Sequence, residues 1–145
     1  MLEQHTIDVM GGPRNLGGVV RNQIELAERI TQGLPRSAAL AVRRRLGLTE
    51  AELAAGLGVS AKTLQRQTKE AAVRLKPAQS DRLYRLARVA ALAEEVLEDR
   101  ARAHRWLREP QRGLGNRAPL DLIASEAGAR EVEDLLGRIE YGVFS

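Results

Sequence analysis

The chain has 145 residues, a mass of 15.9 kDa and a formal net charge of +4, a size typical of one domain or two small ones. Hydrophobic residues make up 43%, and no apolar stretch approaches the roughly 20 residues that cross a bilayer, so a membrane-spanning protein is excluded. The first residues lack the pattern of an export signal, and we expect a cytoplasmic location. With no cysteine and only His5 and His104, the composition disfavours an enzyme, and it predicts no catalytic residues, no metal site and no cofactor.

The basic residues are concentrated in the middle of the chain. Residues 36–90 carry twelve basic and four acidic side chains, a net charge of +8. Residues 1–35 have a net charge of −1 and residues 91–145 have a net charge of −3. This partition predicts two partners of different charge, with a polyanion as the partner of the middle block.

The first 18 residues are rich in glycine and show little hydrophobic periodicity. Glycine loses more backbone freedom on folding than any other residue, so we expect a loose arm over residues 1–18. From Val19 onward, apolar residues recur at helical spacing until Gly33 and Pro35. A second short helix is predicted over residues 37–46, and strand patterns are nearly absent, so the fold class is predicted to be all-α.

Residues 49–70 contain the most informative pattern, TEAELAAGLGVSAKTLQRQTKE. Thr49 and Glu52 have the spacing of a capping box, Gly58 suits a left-handed turn, and Ser60 can cap the helix that follows. The order of apolar and small residues resembles the helix-turn-helix of phage-repressor-like (Xre) regulators. The alternative is an ordinary tight helix pair in an all-α core.

A helix-turn-helix places its second helix in the major groove of DNA. We therefore predict a DNA-binding domain over residues 19–78, in which the outward side chains of the second helix contact bases and phosphates. The predicted DNA-binding residues are Ser60, Lys62, Gln65, Arg66 and Lys69. Two further groups of arginines could reach the DNA backbone or simply face solvent, namely Arg43, Arg44 and Arg45, and Arg82, Arg85 and Arg88.

A long connecting helix is predicted over residues 79–98, with its pattern beginning at about Ser80. Its apolar stripe is interpreted as core or as a dimer seam. The stripe consists of Leu83, Leu86, Ala90, Ala93 and Leu97. An acidic cluster follows, in which we expect Glu98 to pair with Arg102 rather than to act in acid/base chemistry. The cluster consists of Glu94, Glu95, Glu98 and Asp99, with His104 as a partly buried helix residue.

The last part of the chain, residues 99–145, is predicted to form a small helical domain. A helix is predicted to end near Trp106 and Leu107, and a short helix to begin at Pro119 and end at Gly128. A last amphipathic helix carries Val132, Leu135, Leu136 and Ile139. Large apolar residues are of little use at a fraying end, so Tyr141 and Phe144 suggest a partner pocket. The alternative is a tail that folds back on its own domain.

This part of the chain carries a second resemblance. Its ordered motifs are A-H-R-W-L-R-E-P, L-G-N-R-A-P-L-D-L-I, S-E-A-G-A-R-E-V and L-L-G-R-I-E-Y-G-V-F-S. They resemble the toxin-binding domain of Xre/MbcA/ParS-type antitoxins, and with the helix-turn-helix the resemblance spans roughly residues 40–145. One departure is Asn116, where the family pattern usually has a second consecutive glycine, so the turn there can differ locally.

The resemblance implies an antitoxin of a type II toxin–antitoxin pair, and not an enzyme. It implies as partners a RES-domain toxin that degrades NAD, operator DNA and a second copy of the antitoxin. In such antitoxins the C-terminal end covers the toxin active site and the N-terminal part binds the promoter. The toxin-binding residues carried over to this chain are Arg138, Glu140, Tyr141, Gly142, Val143, Phe144 and Ser145. The alternative is a stand-alone dimeric helix-turn-helix regulator, and a small hydrolase built on the acidic cluster is a weaker third interpretation.

Overall fold

The computed structural model describes residues 2–69 and 74–142, except for the side chains of residues 68 and 69. Those ranges contain eight α-helices and no β-strand, which confirms the predicted all-α fold. The helices are α1 (Leu2–Val9), α2 (Gln23–Gln32), α3 (Arg36–Leu46), α4 (Glu50–Leu57), α5 (Ala61–Lys69), α6 (Pro77–Leu97), α7 (Arg100–Arg108) and α8 (Glu126–Glu140). Short 3-10 turns occupy Pro13–Leu16, Arg112–Leu114 and Pro119–Asp121. No helix in these ranges has the length and apolar character needed to cross a bilayer.

Helix α6 is the centre of the fold. It begins at Pro77, whose fixed φ suits the first turn of a helix, and it runs for 21 residues. The helices α1, α2, α3, α4, α7 and α8 all pack against it. Because helices pack on several sides of α6, eleven of its 21 residues are buried. The two halves of the chain therefore share one hydrophobic core.

The apolar stripe of α6 lies inside this core. Leu83, Leu86 and Ala90 are at most 1% exposed, and Leu97 is 8% exposed. These side chains are already covered by helices of the same chain, so they cannot also form a seam between two copies. The interpretation of the stripe as a dimer seam is wrong, and the interpretation as core is confirmed.

The first 18 residues do not form the predicted loose arm. Residues 2–9 form α1, which packs against α6, and the side chains of Ile7, Val9, Met10 and Leu16 are buried in the shared core. Burial of these four apolar side chains offsets the conformational entropy lost by the glycines between them. The prediction failed because the partner surface of α1 lies about 90 residues away in sequence.

Two turns in the C-terminal half show how glycine and asparagine act locally. Gly128 does not end a helix as predicted but lies in the first turn of α8, where its amide donates to the Ser125 hydroxyl at 3.0 Å. A Cβ at Gly128 would collide with the backbone carbonyl of Leu122, so the position needs glycine for close approach. Asn116 has φ 62°, so it adopts the left-handed conformation that a glycine would take.

Candidate functional site

Helices α4 and α5 form the predicted helix-turn-helix. The Thr49 hydroxyl accepts from the Glu52 amide at 3.1 Å and the Glu52 carboxylate accepts from the Thr49 amide at 2.8 Å, which is a complete capping box. Gly58 ends α4 with φ 72°. The Ser60 hydroxyl then accepts from the Thr63 amide at 3.0 Å and so caps α5. Each capping prediction for this segment is confirmed.

The outward face of α5 is open to solvent. Lys62, Gln65 and Arg66 are exposed, while Leu64 is buried against the core. The Gln65 amide donates to the Glu50 carboxylate at 2.9 Å, so this side chain is held against the start of α4. The backbone of Lys69 belongs to α5, but its side chain lies outside the described residues.

Most of the arginines predicted either to reach DNA or to face solvent instead make contacts within the protein. Arg43 donates to the Leu48 carbonyl at 3.1 Å, and Arg82 donates to the Leu57 carbonyl at 3.3 Å, near the end of α4. Arg44 is exposed. Arg82 thereby satisfies a carbonyl group at a helix end, which has no partner within its own helix, and Arg43 satisfies a carbonyl group in the loop between α3 and α4.

Arg85 and Arg88 connect α6 to α8. Arg88 pairs with Glu133 at 2.8 Å, and both arginines lie 3.4 Å from a carboxylate oxygen of Glu126. Burial opposes ionisation of Glu126, but the combined attraction of Arg88, Arg85 and Arg130 outweighs it and lowers the pKa of Glu126. Arg108 makes a third connection, from α7 to Glu52 on α4 at 3.1 Å. The helix-turn-helix and the C-terminal helices are thus held in one arrangement.

The acidic cluster contains a buried ionic centre that sequence analysis missed. Glu94 is 5% exposed and accepts hydrogen bonds from Arg45 through both carboxylate oxygens at 2.8 and 3.1 Å. Nε2 of His5 and Nε2 of His104 each lie 2.8 Å from the same carboxylate. Burial raises the pKa of Glu94, but the bonds from Arg45, His104 and His5 outweigh this effect and lower it to about 2.

This ionic centre argues against acid/base chemistry in the cluster. Both oxygens of Glu94 are occupied by cationic or imidazole donors, and no group of His, Asp and Glu in the described ranges has the arrangement of a metal site. The predicted pair of Glu98 with Arg102 is also wrong. Glu98 ends α6 with φ 56°, and Arg102 belongs to the next helix, where Asp99 caps its amide at 3.0 Å.

The predicted toxin-binding segment begins on the last turn of α8. Arg138 is half-buried, and its Nε is buried with no hydrogen-bond acceptor among the described residues. Glu140 is exposed, and Tyr141 is 81% exposed directly beyond the helix. Gly142 has φ 73°. The remaining predicted residues, Val143, Phe144 and Ser145, lie outside the described residues.

Comparison with known proteins assigns both halves of the chain to families. Residues 25–88 match the antitoxin Xre-like helix-turn-helix domain, and residues 92–142 match the antitoxin Xre/MbcA/ParS C-terminal toxin-binding domain. The fold resembles a chain in the crystal structure of the M. tuberculosis MbcT–MbcA toxin–antitoxin complex, with a TM-score of 0.55 and 31% identity. That match covers 86% of this chain and 100% of the other.

Curated relatives from several bacteria carry the name Antitoxin Xre. The protein of Yersinia enterocolitica is 37% identical over 68% of this chain and 66% of its own length. The protein of Photorhabdus laumondii is 38% identical over 46% of each chain. The chain thus spans between about half and two thirds of the lengths of these relatives. They are antitoxins rather than enzymes, in agreement with the composition. The two domain matches and the shared fold show that this chain belongs to the Xre/MbcA/ParS antitoxin family.

Proposed function

We propose that the chain neutralises a RES-domain, NAD-degrading toxin by covering the toxin's active site with its C-terminal segment, and that it represses its own promoter through α5. The observation that carries the first part is the position of Tyr141, a large side chain that is 81% exposed where α8 ends. The apolar residues of α8 itself, Val132, Leu135 and Leu136, are buried in the core. An exposed aromatic side chain beyond a well-packed helix is suited to a pocket on a partner.

The surroundings of Tyr141 support this role. The orphaned Nε of Arg138 can be satisfied when a partner or the adjoining segment supplies an acceptor. Exposed Glu140 adds a negative charge that suits a cationic pocket of the kind that holds the phosphates of NAD. The complex of the M. tuberculosis relative supports a toxin as the class of partner.

The promoter-binding part of the proposal rests on α5. Its exposed face carries Lys62, Gln65 and Arg66, and residues 36–90 have a net charge of +8. We propose that Gln65 or a basic neighbour contacts base edges while the remaining cations bind phosphates. Ser60 contributes by capping the helix. The natural location of a chain that acts on a promoter and on an NAD-degrading toxin is the cytoplasm.

A quadruple substitution of the outward face of α5 tests the promoter-binding part. Replacing Lys62, Gln65, Arg66 and Lys69 by alanine should weaken binding to the promoter by one to several orders of magnitude. Each phosphate contact that is lost should reduce the slope of log affinity against log salt by about 0.9. Fluorescence anisotropy on a promoter duplex at several salt concentrations measures both effects.

The matched control also removes three positive charges, but from the C-terminal half of the chain. Arg105, Arg112 and Arg117 are exposed on the C-terminal half, and their replacement by alanine should leave promoter affinity nearly unchanged. Circular dichroism should show the same helix content for both variants and the parent chain. Equal promoter binding by the parent chain and the α5 variant would remove α5 from the DNA interface.

We also propose that the chain dimerises, because a two-fold operator presents two half-sites to a two-fold dimer. The seam must lie outside the buried stripe of α6. Sedimentation equilibrium should give a mass of about twice 15.9 kDa at micromolar concentration. A mass that stays at 15.9 kDa as the concentration rises contradicts dimerisation.

A stand-alone regulator is the alternative function, and unlike an antitoxin it has no toxin partner. Co-expression of the chain with the neighbouring gene product should yield a stable complex if the chain is an antitoxin. Tight promoter binding without any complex would favour the regulator instead.

A further inference from the structure

A polar cleft lies between the Pro13–Leu16 turn, the end of α2 and the start of α3. Its volume is about 360 Å³, within the range of small-ligand sites. Arg14, Arg29 and Arg74 all line it, and none of the described lining residues is acidic. Three guanidinium groups around a cleft without a carboxylate create a strong preference for an anion.

The charges of these arginines remain uncompensated within the described chain. Arg29 donates to the carbonyls of Leu16, Gly18 and Val19, and Arg74 donates to the Gly33 carbonyl at 2.9 Å. These contacts fix the guanidinium groups in place, but a neutral carbonyl does not cancel a positive charge.

Some other arginines in this chain pair with carboxylates. Arg45 pairs with Glu94 and Arg88 pairs with Glu133, each at 2.8 Å. In the described ranges, neither Arg14, Arg29 nor Arg74 has a carboxylate oxygen within 4.0 Å. The cleft therefore brings together three arginines that lack the carboxylate partner found for Arg45 and Arg88.

The donors that remain fit a phosphate group. Arginine has five N–H groups; the carbonyl contacts of Arg29 use three of them, and the carbonyl contact of Arg74 uses one. Arg14 is exposed at the rim and can move toward a ligand. Guanidinium groups bind phosphate oxygens through paired hydrogen bonds, and several of them suit a doubly charged or bridging oxyanion.

The cleft adjoins the proposed DNA-binding face. Arg74 also lines a neighbouring groove, and Gln65 of α5 lines that groove as well. A phosphate of DNA bound at α5 and a phosphate of a free nucleotide are thus the two sources to distinguish. We propose that Arg14, Arg29 and Arg74 form a phosphate-binding site that extends the anion-binding surface of this chain beyond α5. Binding of a DNA phosphate in this cleft rests on the proposed function, whereas binding of a free nucleotide does not.

The test uses the full-length chain with Arg14 and Arg74 both replaced by glutamine. Arg29 is retained because it holds three backbone carbonyls together. The control replaces Arg21 and Arg105 by glutamine, because both are exposed and lie outside the cleft. In a salt titration on the promoter duplex, the cleft variant should lose about 0.9 from the salt slope for each phosphate contact removed, and the control should match the parent chain.

A second assay uses small phosphates. ATP and sodium pyrophosphate are titrated into the chain at low salt by calorimetry, with sodium chloride of equal ionic strength as the reference. A reduced DNA salt slope identifies backbone phosphate as the ligand, and loss of ATP or pyrophosphate binding in the cleft variant alone identifies a free phosphate compound. Identical behaviour of the parent chain and the cleft variant in both assays overturns the proposal.

Two further comparisons distinguish failure of the phosphate site from unfolding of the variant and from failure of the proposed repressor function. The single substitution Arg14→Gln removes an exposed side chain and preserves the fold, so it decides the question if the double variant is unfolded. Loss of promoter binding in the α5 variant, together with an unchanged salt slope and unchanged ATP binding in the cleft variant, would overturn only the phosphate site. Absence of promoter binding by the parent chain would overturn the proposed repressor function, and the ATP assay would still decide the cleft.

Discussion

Removal of residues 141–145 should abolish neutralisation of the toxin while the rest of the chain stays folded. A buried aromatic anchor contributes on the order of 2 kcal/mol or more to an interface, so loss of Tyr141 and Phe144 together should weaken binding by roughly a thousandfold. The buried face of α8, with Val132, Leu135 and Leu136, remains in the shortened chain. Growth and the NAD content of cells that express both proteins measure neutralisation directly.

The design of this experiment separates a partner-binding tail from a structural one. The control is Ile24→Ala, because Ile24 is 72% exposed on α2 and thus as open to solvent as Tyr141 but far from the proposed interface in sequence. The control should neutralise the toxin normally, and the shortened chain should still bind the promoter. An unfolding midpoint lowered by several degrees would show instead that the tail stabilises its own domain.

Retained neutralisation by a stable shortened chain would exclude the C-terminal plug. The inhibitory surface would then lie on the half-buried side chains of the same half, around Trp106 and Leu120. These residues pack partly against the core and keep part of their surface open. Substitution of each by alanine would locate the surface.

The helix-turn-helix could be predicted because its determinants are local. The capping box of Thr49 and Glu52, the turn at Gly58 and the cap at Ser60 each involve residues within three positions of one another. Local hydrogen bonds and backbone preferences depend on neighbouring residues alone, so a pattern in the sequence is sufficient to indicate them. The family resemblance of the C-terminal half added an ordered series of motifs that local rules could not supply.

The features that escaped prediction depend on contacts between distant residues. Glycines near the start of the chain suggested disorder, but α1 docks on α6 through side chains about 90 positions apart. Gly128 looked like a helix end because glycine is common there, whereas the structure uses it to admit the Leu122 carbonyl. Apolar periodicity on α6 could not reveal whether the covering surface is the same chain or a second copy.

Glu94 is the clearest example of such a distant contact, and its substitution has the largest expected effect on stability. Its carboxylate joins Arg45 of α3, His5 of α1 and His104 of α7 to α6. The folded state lowers the pKa of Glu94 from 4.5 to about 2, and roughly 1.4 kcal/mol corresponds to each pKa unit. Ionised Glu94 therefore stabilises the fold by about 3 kcal/mol at neutral pH.

Glu94→Gln should lower the free energy of unfolding at pH 7 by about 3 kcal/mol and the melting temperature by roughly 10 °C. Glutamine brings an NH₂ group to face Arg45 and the two imidazole rings, which are themselves donors or cations, so the lost charge is not replaced. Urea unfolding followed by circular dichroism measures the difference. The matched control is Glu95→Gln, since Glu95 has a 39% exposed side chain and a single contact at 3.0 Å with His5.

The pH dependence distinguishes lost charge from lost packing. Because the folded state lowers the pKa of Glu94, its contribution is complete above pH 4.5 and is lost as the pH falls through about 2, below which the carboxylate is protonated in both states. The stability of the parent chain should therefore approach that of Glu94→Gln on acidification, while the two differ most at neutral pH. A constant difference between pH 7 and pH 2.5 would mean that the substitution acts through packing, and that the charge of Glu94 does not hold α1, α3 and α7 to the central helix.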